Sequence, residues 1–387
     1  MLDTETFNAL IETVERFVTE RLRPAEAEVA ETDDIPADLV AEMKALGLFG
    51  LSIDPEYGGL GLDMLEEVKV GMALGKTSPA MRSTFGTNVG IGSQGLVMAG
   101  TPDQKAKWLP GIASGDIITS FALTEPDVGS DSANVKTRAV RDPGSASGAG
   151  ANQWRLTGTK RYITNADRAH LFTVMARTGE PGARGVSAFL VPADSPGLRV
   201  GAPEKKMGQQ GAHVCDVHFD DVPVPPENML GAEGEGFKVA MRVLDRGRLH
   251  IAGVCVGAAE RLIADSVAYA TTRIQFGKPI AEHQLIQAMI ADMKTECLAA
   301  KALVLQTAAD KDAGKNVTME AAAAKYFASE MVGRVADKAV QIFGGAGYIA
   351  DYGIERFYRD VRIFRIYEGT SQIQQLIIAR ETIKRGG

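Results

Sequence analysis

The segment near the end of the chain contains a carboxylate in a position that suits acid–base chemistry. It reads Arg365-Ile-Tyr-Glu-Gly-Thr-Ser-Gln-Ile-Gln374, in which Ser371 and Gln374 have the spacing of a helix-capping box. Glu368 is therefore predicted to lie in the short turn before the last helix, beside Gly369. The helix dipole stabilises a carboxylate at such a place, which is a sufficient structural reason for it. The alternative is a general base next to a glycine that lets a substrate approach closely.

Two earlier segments have residue types that could together hold a flat heterocycle. The first, Phe121-Ala-Leu-Thr-Glu-Pro-Asp-Val-Gly-Ser-Asp131, leaves a predicted strand, turns at Pro126 and Gly129, and supplies hydroxyl groups and free backbone amides. The second, Thr159-Lys-Arg-Tyr-Ile-Thr-Asn165, pairs an aromatic with a hydroxyl. An aromatic ring covers the face of such a ligand, while amides and hydroxyls meet its edge. Because the first segment alone is typical of a capped loop, the prediction requires the two to be neighbours.

Three other patterns are interpreted as structural. Gly90-Ile-Gly-Ser-Gln-Gly95 matches the dinucleotide fingerprint but lacks the apolar strand that must precede that site. His213 and His218 flank Cys215, and residues five apart on a strand point to opposite faces, so no metal site is predicted. The apolar run at 251–259 is far shorter than the ~20 residues that span a bilayer. We interpret it as a core helix.

Composition and charge exclude several classes of function. The 387 residues are 45% hydrophobic and 24% charged, which is ordinary for a folded globular protein. There are 42 Lys and Arg against 49 Asp and Glu, and the net charge of −7 argues against binding to nucleic acid or to an anionic membrane. Cys215, Cys255 and Cys297 are far apart in sequence, as suits a reducing compartment. Because the acidic start differs from a signal peptide, a soluble, cytoplasmic protein is expected.

The candidate residues must be positioned by three regions of different periodicity. Residues 1–115 have apolar residues at helical spacing, and Pro24 is predicted to end the first helix. Residues 116–230 contain short β-branched and aromatic runs, which predict a barrel or sandwich, with a hairpin tip at 144–152. Residues 231–387 return to long helical patterns, typical of a four- or five-helix bundle. The sequence thus predicts an α+β protein with an N-terminal helical domain, a middle β domain and a C-terminal bundle.

The predicted elements follow this division. Strands are expected at 117–123, 154–163, 171–176, 186–191 and 214–219. The long helices of the C-terminal bundle are expected at about 236–271, 283–313, 318–343 and 371–385. The two helical regions are expected to share one core around the β insert.

Five ordered segments give the chain a resemblance to the acyl-CoA dehydrogenase family over essentially its whole length. They are the 121–131 segment, Tyr162-Ile-Thr164, Arg273-Ile-Gln-Phe-Gly-Lys-Pro279 with Glu282-His-Gln284, Gln341-Ile-Phe-Gly-Gly-Ala-Gly-Tyr348 and Ile366-Tyr-Glu-Gly-Thr-Ser-Gln372. The helix–β–helix order of that family agrees with the order predicted from periodicity. The resemblance implies an FAD-dependent enzyme that converts an acyl-CoA thioester to a trans-2-enoyl-CoA.

The resemblance also implies that FAD binds between the β domain and the C-terminal bundle. The isoalloxazine would be surrounded by Phe121, Ala122, Leu123, Thr124, Ser130, Tyr162, Ile163 and Thr164. The pyrophosphate and adenosine end would be bound by Arg273, Phe276, Gln284, Gln341, Gly344 and Gly345, and the flavin site would be closed by Thr370 and Gln372. Relatives usually have Trp in place of Tyr162 and often Tyr in place of Phe121, so an aromatic is kept at both positions. In the family, some of these residues come from a neighbouring subunit, which implies a homotetramer.

By the same resemblance, Glu368 is the catalytic base, which removes the α-proton while hydride leaves the β-carbon for flavin N5. Some relatives place the base one residue before the Arg of Leu-Asp-x-x-Arg, but that position here is Gly247, so Glu368 is the one candidate. We expect burial beside flavin and substrate to raise the pKa of Glu368 more than the helix start lowers it.

The resemblance assigns the CoA contacts to a second set of residues. Asp245 and Arg248, together with Ser130, would contact the CoA moiety, and Gly369 would touch the substrate near the thioester. Taken alone, Asp245 and Arg248 are three residues apart on one helix face and are most simply explained as an ion pair within the helix.

Other activities remain open at this stage. A dehydrogenase implies an electron-transfer flavoprotein as acceptor, whereas an acyl-CoA oxidase would use the same base and pass electrons to O₂. The larger oxidases of the family carry an additional C-terminal domain, which the length of 387 residues disfavours. A flavin-fold protein that binds nucleic acid or a regulator is disfavoured by the net charge of −7 and by Glu368. A flavin monooxygenase is disfavoured because such relatives generally lack the Glu-Gly-Thr segment.

Overall fold

The N-terminal part of the protein is helical, as its periodicity predicts. The structure is a computed structural model that describes residues 2–142 and 153–386, so the hairpin tip predicted at 144–152 lies outside the described residues. The N-terminal helices are α1 (Thr4–Phe17), α2 (Arg23–Thr32), α3 (Ala37–Ala45), α4 (Met64–Leu74), α5 (Pro79–Val89), α6 (Gln94–Ala99) and α7 (Pro102–Ser114).

The prediction that Pro24 ends the first helix is wrong. Helices α1 and α2 are continuous through a π-helical turn at Val18–Leu22, in which the Arg23 N–H donates to the Val18 carbonyl. Pro24 therefore falls in the first turn of α2, where a missing N–H costs little because it would have no regular α-helical acceptor there. The proline changes the hydrogen-bond register of the helix without terminating it.

The middle part forms one mixed β-sheet, and the predicted β region is confirmed. The strands are β1 (Thr119–Ala122), β2 (Arg138–Asp142), β3 (Gln153–Thr164), β4 (Leu171–Arg177), β5 (Val186–Pro192), β6 (Leu198–Val200), β7 (Val214–Val224) and β8 (Met229–Leu230). Their order is β6-β7-β3-β2-β4-β5-β8, and β1 pairs with β4 in parallel. The sequence patterns missed β2, β6 and β8, because β2 reads Arg-Ala-Val-Arg-Asp and the other two are very short.

The C-terminal part is a bundle whose long helices were predicted to within one residue. A short hairpin of β9 (Ile274–Gln275) and β10 (Lys278–Pro279) follows the first long helix, which ends at Thr272. The helices are α8 (Gly236–Thr272), α9 (Gln284–Asp312), α10 (Thr318–Phe343), α11 (Ile354–Asp360) and α12 (Ser371–Arg385). Residues 251–259 of α8 are all buried, which confirms the interpretation of that run as a core helix.

Helix α4 of the N-terminal part packs into the core of the C-terminal bundle with α8, α9 and α10, whereas α1, α2, α3 and α5 form a second core together with α4. Helices α4 and α8 approach so closely that a Cβ at Gly257 would lie 2.0 Å from the Met72 carbonyl oxygen. The β-sheet is therefore an insertion between two halves of one helical body. Among the described residues, no helix combines the length and the apolar character needed to cross a membrane.

The motifs interpreted as structural have structural roles. The Gly90–Gly95 segment forms the turn after α5 and the first two residues of α6, without a preceding strand. His213 contacts Asp167 through Nδ1 at 2.6 Å, whereas His218 contacts the Thr159 hydroxyl at 3.2 Å. The two imidazoles thus have separate partners, and the described residues contain no cluster of ligands suited to a metal ion.

Candidate active site

Glu368 lies in a tight turn between the 3₁₀ turn Val361–Arg365 and α12. Its φ is 53°, in the left-handed region, and that of Gly369 is 90°. The N-cap of α12 is Thr370, whose hydroxyl accepts a hydrogen bond from the Ile373 N–H at 3.2 Å. The capping box predicted for Ser371 is therefore wrong, since the Ser371 hydroxyl donates to Glu330 at 2.6 Å. With the cap at Thr370, Glu368 lies two residues before the N-cap and three before the first helical residue.

The Glu368 carboxylate points into the protein, against α8. Its Oε2 atom is buried and has no hydrogen-bond partner among the described residues. It faces Gly247, where an added Cβ would lie 2.2 Å from Oε2. A buried carboxylate oxygen without a partner carries a desolvation cost. Such a group is suited to accept a proton from a ligand.

Burial within the protein alone raises the pKa of Glu368. Three cations oppose this effect, namely Arg82 from α5, Lys325 from α10 and Arg248 from α8, in decreasing order of strength. Glu67 from α4 acts with burial and raises the pKa further. The ionisation of Glu368 is thus decided by charges on four different helices.

Lys325 anchors the turn that carries Glu368. It is fully buried, and its Nζ donates to the Gly369 carbonyl at 2.7 Å. Gln374 Nε2 donates to the same carbonyl at 3.0 Å. Burial lowers the pKa of Lys325 to about 8. Two side chains from α10 and α12 therefore fix the backbone beside the carboxylate.

A chain of buried polar groups leads away from the site through α5, α8 and α4. The Arg82 Nε–H donates to His250 Nε2 at 2.9 Å, and His250 Nδ1 lies 2.9 Å from Glu67 Oε1. Glu67 also forms an ion pair with Arg246. Because His250 Nε2 accepts a hydrogen bond, Nδ1 carries the proton and donates to Glu67, so the imidazole is neutral. Burial followed by the charge of Arg82 lowers the pKa of His250, in agreement with this neutral form.

Asp245 and Arg248 form an ion pair on α8, as their spacing suggests. Arg248 is buried, and its charge interacts with Glu368 as well as with Asp245. Burial lowers the pKa of Arg248 and raises that of Asp245. The pair therefore lies beside the carboxylate rather than on the surface.

The two segments predicted to hold a heterocycle are neighbours in the structure. The Arg161 N–H donates to the Thr124 carbonyl at 2.8 Å, and Lys160 Nζ donates to the Leu123 carbonyl at 3.0 Å. Lys160 also forms a buried ion pair with Glu125 at 2.8 Å. These contacts fix the loop after β1 against β3.

The surface formed there has the features of a site for a flat ligand. Tyr162 has a φ of 57° at an irregularity in the pairing of β3 with β7, and 58% of the residue is exposed. Phe121 and Ala122 lie buried in β1, Ile163 is buried next to Tyr162, and Ser130 lies exposed in the following loop. A strained backbone that presents an aromatic ring to solvent needs a functional reason. Stacking of a heterocycle such as flavin on this ring fits that requirement.

Helix α5 connects this surface to Glu368. Asn165, just after Thr164, donates from Nδ2 to the Ser83 carbonyl at 2.8 Å and to the Thr87 hydroxyl at 2.9 Å. The residue before Ser83 is Arg82, whose charge acts on Glu368. The end of β3 and the carboxylate are thus linked through a single buried helix.

A third group of predicted residues lies elsewhere, around the β9–β10 hairpin and the end of α10. Its members are exposed: Arg273, Phe276, Gln284, Gln341, Gly344 and Gly345. Phe276 is 94% exposed at a φ of 52° and contacts the ring of His283 at 5.8 Å. Tyr269, near the end of α8, stacks on Phe343 at 4.1 Å, which joins the hairpin region to the α10 terminus. No extensive contact joins this group to β1 or β3 in the described part of the chain.

The sequence predictions omitted several charged groups of the site. They are Glu67, Arg82, His250 and Lys325. The sequence did indicate that Lys325 is buried, because it follows four consecutive alanines in a helix with a predicted buried face. The indication for Arg82 was weaker, because the sequence of α5 has no clear apolar stripe, and this helix was therefore not predicted. Only packing of α4, α5, α8 and α10 shows that these residues surround one carboxylate.

Comparison with known proteins gives matches along the described chain. Three family models match it, namely acyl-CoA dehydrogenase N-terminal domain at residues 4–116, middle domain at 120–222 and C-terminal domain at 234–383. An acyl-CoA dehydrogenase of Bacillus subtilis is 38% identical over 368 residues, which is 95% of each chain. The caffeyl-CoA reductase–Etf complex subunit of Acetobacterium woodii is 40% identical over 359 residues, 92% of this chain and 93% of that one. The structure of butyryl-CoA dehydrogenase from Megasphaera elsdenii has a TM-score of 0.93 at 35% identity and covers 99% of both chains.

Proposed function

We propose that this chain, which belongs to the acyl-CoA dehydrogenase family, oxidises an acyl-CoA thioester to a trans-2-enoyl-CoA with Glu368 as the base. The family makes it an oxidoreductase with FAD as cofactor, and when bound FAD supplies the acceptor for the hydride that leaves the β-carbon. The observation that carries the proposal is the buried Oε2 atom of Glu368, which lacks a hydrogen-bond partner among the described residues.

Glu368 has the properties needed to remove a weakly acidic α-proton. Its raised pKa makes it a stronger base than an exposed carboxylate, while the nearby cations preserve its ionised form. Gly247 has no side chain, which leaves room for the carboxylate against α8. Lys325 and Gln374 hold the turn in place through the Gly369 carbonyl.

The developing negative charge on the thioester oxygen requires a hydrogen-bond donor. The Glu368 N–H has no acceptor among the described residues and lies in the same turn as the base. We assign it this role. Asp245, Arg248 and Ser130 are proposed to contact the CoA moiety, and Gly369 the acyl group near the thioester.

Two groups of residues are proposed to bind FAD from different subunits. The isoalloxazine would lie on Phe121, Ala122, Leu123, Thr124, Ser130, Tyr162, Ile163 and Thr164, closed by Thr370 and Gln372. The adenosine and pyrophosphate end would be bound by Arg273, Phe276, Gln284, Gln341, Gly344 and Gly345. The exposure of the second group and its separation from β1 and β3 support its contribution to a neighbouring subunit's site. We therefore propose a homotetramer.

An electron-transfer flavoprotein is proposed as the redox partner. This proposal is supported by the relative from Acetobacterium woodii, which is named as a subunit of a reductase–Etf complex. A measurement of turnover with O₂ alone and with an electron-transfer flavoprotein separates this activity from that of an oxidase. Faster turnover with O₂ alone would contradict the proposed partner.

The test of the activity is anaerobic reduction of the bound flavin by a panel of acyl-CoA thioesters. We expect one thioester to bleach the visible flavin absorption, and E368Q to slow this step by about 10²- to 10⁴-fold, as is typical for loss of a general base. The matched control is E12Q, which alters an exposed glutamate on α1. Rapid bleaching by E368Q would exclude Glu368 as the base.

A further inference from the structure

Arg82 is held on the face of α8 that meets Glu368, because its partner His250 is three residues after Gly247, and residues three apart lie on one face of a helix. Arg82 is only 9% exposed, yet its one side-chain hydrogen bond to a described residue is to the neutral imidazole of His250. Its terminal nitrogens make no hydrogen bond to another described residue. The nearest acid along the chain of contacts is Glu67, and Glu67 is already paired with Arg246. The positive charge of Arg82 is therefore not neutralised by a direct ion pair.

The direction of the guanidinium is fixed from two sides. His250 accepts from Nε, and Glu67 fixes the imidazole by accepting from Nδ1. On the opposite side, a Cβ at Gly86 would lie 2.7 to 3.0 Å from the guanidinium carbon and two of its nitrogens. The guanidinium thus occupies a slot between α5 and α8 that only a glycine at position 86 leaves open.

We propose that His250 is a positioning residue, which together with Glu67 holds the Arg82 guanidinium beside Glu368 and keeps the carboxylate ionised before substrate binds. The inference rests on the proposed role of Glu368 as the base, and it names the residues that keep this base in its active form. A buried carboxyl group without such a cation would stay protonated up to a higher pH, and in that form it could not accept the proton of a substrate.

The other groups that face Glu368 do not replace Arg82. Lys325 from α10 is anchored to the Gly369 carbonyl, and Arg248 from α8 is paired with Asp245. Glu67 from α4 opposes ionisation, and the neighbouring Tyr367 and Cys255 are neutral because burial raises the pKa of each. Of the three cations, Arg82 has the strongest influence on the carboxyl group. Removal of the Arg82 charge should therefore shift the ionisation of Glu368 more than removal of either of the other two cations.

The test is an infrared titration of the Glu368 carboxyl group in the FAD-bound enzyme, with the band assigned by its loss in E368Q. We expect R82M and H250L to move the titration upwards by about one pH unit, a tenfold change in the ionisation equilibrium. H250Q should titrate like the wild type, because the amide can accept from Arg82 and donate to Glu67. R242M, which removes an exposed arginine of α8, is the matched control.

G86A provides a second test that removes no charge and no hydrogen-bonding group. Its methyl group should displace the guanidinium and raise the titration in the same direction, even if H250L does not fold. An unchanged titration in R82M would show that Arg82 does not set the ionisation. A shift in R82M without one in folded H250L would show that His250 does not position it.

A pH profile of kcat/KM gives the functional counterpart. The acidic limb should move upwards in R82M and H250L and stay in place in H250Q, with the alkaline plateau retained. Since the infrared titration needs no turnover, it decides the role of His250 even if E368Q remains active and the proposed function fails. A profile of H250L that superposes on the wild-type profile would contradict the proposal.

Discussion

Glu368 illustrates how a single side chain obtains its chemistry from its neighbours. The turn that carries it has two consecutive residues in the left-handed region, and the carboxylate fills the space left by Gly247. The absence of a side chain at position 247 of α8 is thus a condition for the position of Oε2. Gly247 therefore leaves the space that the carboxylate of the proposed base occupies.

The first prediction concerns Gly247. In G247A, the new Cβ would lie 2.2 Å from Oε2, so the carboxylate must move by about an ångström. We expect kcat for flavin reduction to fall roughly 10- to 100-fold, because misplacement on this scale has that cost in active sites. Stopped-flow reduction measures it. G179A, at an exposed glycine with only ordinary contacts, should keep the wild-type rate, and full activity of G247A would refute the assigned position of Glu368.

The second prediction concerns a buried acid outside the site. Asp360 accepts hydrogen bonds from the Gln209 N–H and the Ser78 hydroxyl, and burial raises its pKa to about 6. A carboxyl group with a raised pKa binds its proton more tightly in the folded state, so folding stability falls as pH rises from about 4 through 6. D360N removes this ionisation. We expect its free energy of unfolding, relative to wild type, to increase by up to about 3 kcal/mol between pH 4 and pH 7.

Urea denaturation at these two pH values measures the difference. The control is D103N, which changes an exposed aspartate on α7. A difference between D360N and wild type that is the same at both pH values would show that Asp360 is ionised throughout.

At the scale of elements, the loop after β1 is held by a buried ion pair. Lys160 of β3 is fully buried and contacts both Glu125 and the Leu123 carbonyl. Glu125 in turn accepts from the backbone N–H groups of Lys136 and Thr137 at 2.6 and 2.9 Å. The proposed flavin-binding residues 121–124 thus depend on a buried polar cluster formed by Glu125 and Lys160.

The third prediction tests this cluster. K160M leaves the Glu125 carboxylate buried without its cation, which typically costs about 3–5 kcal/mol of stability. The double variant K160M/E125Q removes the unpaired charge and should recover part of that loss. Thermal or urea unfolding of the wild type, K160M, E125Q and K160M/E125Q gives the coupling energy between the two side chains. Equal stability of K160M and the double variant would show that the charge of Glu125 is satisfied without Lys160.

At the scale of the whole molecule, exposed apolar residues gather at the β9–β10 hairpin and the turn after α10. Phe276, Ile274 and Tyr348 are 94%, 59% and 83% exposed. An apolar surface of this kind on a folded chain marks an interaction site. It coincides with the residues proposed to bind the adenosine end of FAD in a neighbouring subunit.

The fourth prediction tests the proposed assembly. F276D places a charge on this surface, so we expect smaller assemblies in sedimentation velocity and a dissociation constant for FAD that is at least about tenfold higher. The control is V140D, at a 60% exposed valine on β2. An unchanged assembly together with unchanged FAD binding in F276D would contradict the shared site.

Patterns local in sequence determined the long helices of the bundle and most strands. The runs at 236–271 and 318–343 have the period of a helix over many turns, so tertiary contacts had little to alter. The segment around Glu368 and the aromatic–hydroxyl pairs at 121–124 and 162–164 were also visible, because their chemistry resides in adjacent residues. The predictions for the cap of α12 and for Pro24 were wrong. One hydrogen bond sets the cap at Thr370, and another joins α1 to α2 through the π-helical turn.

The tertiary structure alone decided which charges meet at Glu368, the proposed base. Glu67, Arg82, Arg248 and Lys325 lie on four helices, separated by up to 258 residues in sequence when Lys325 is compared with Glu67. Their interaction depends on distance and burial, which no spacing along the chain encodes. The sequence specifies the carboxylate and the elements that carry it, whereas the packing of those elements determines when the carboxylate is ionised.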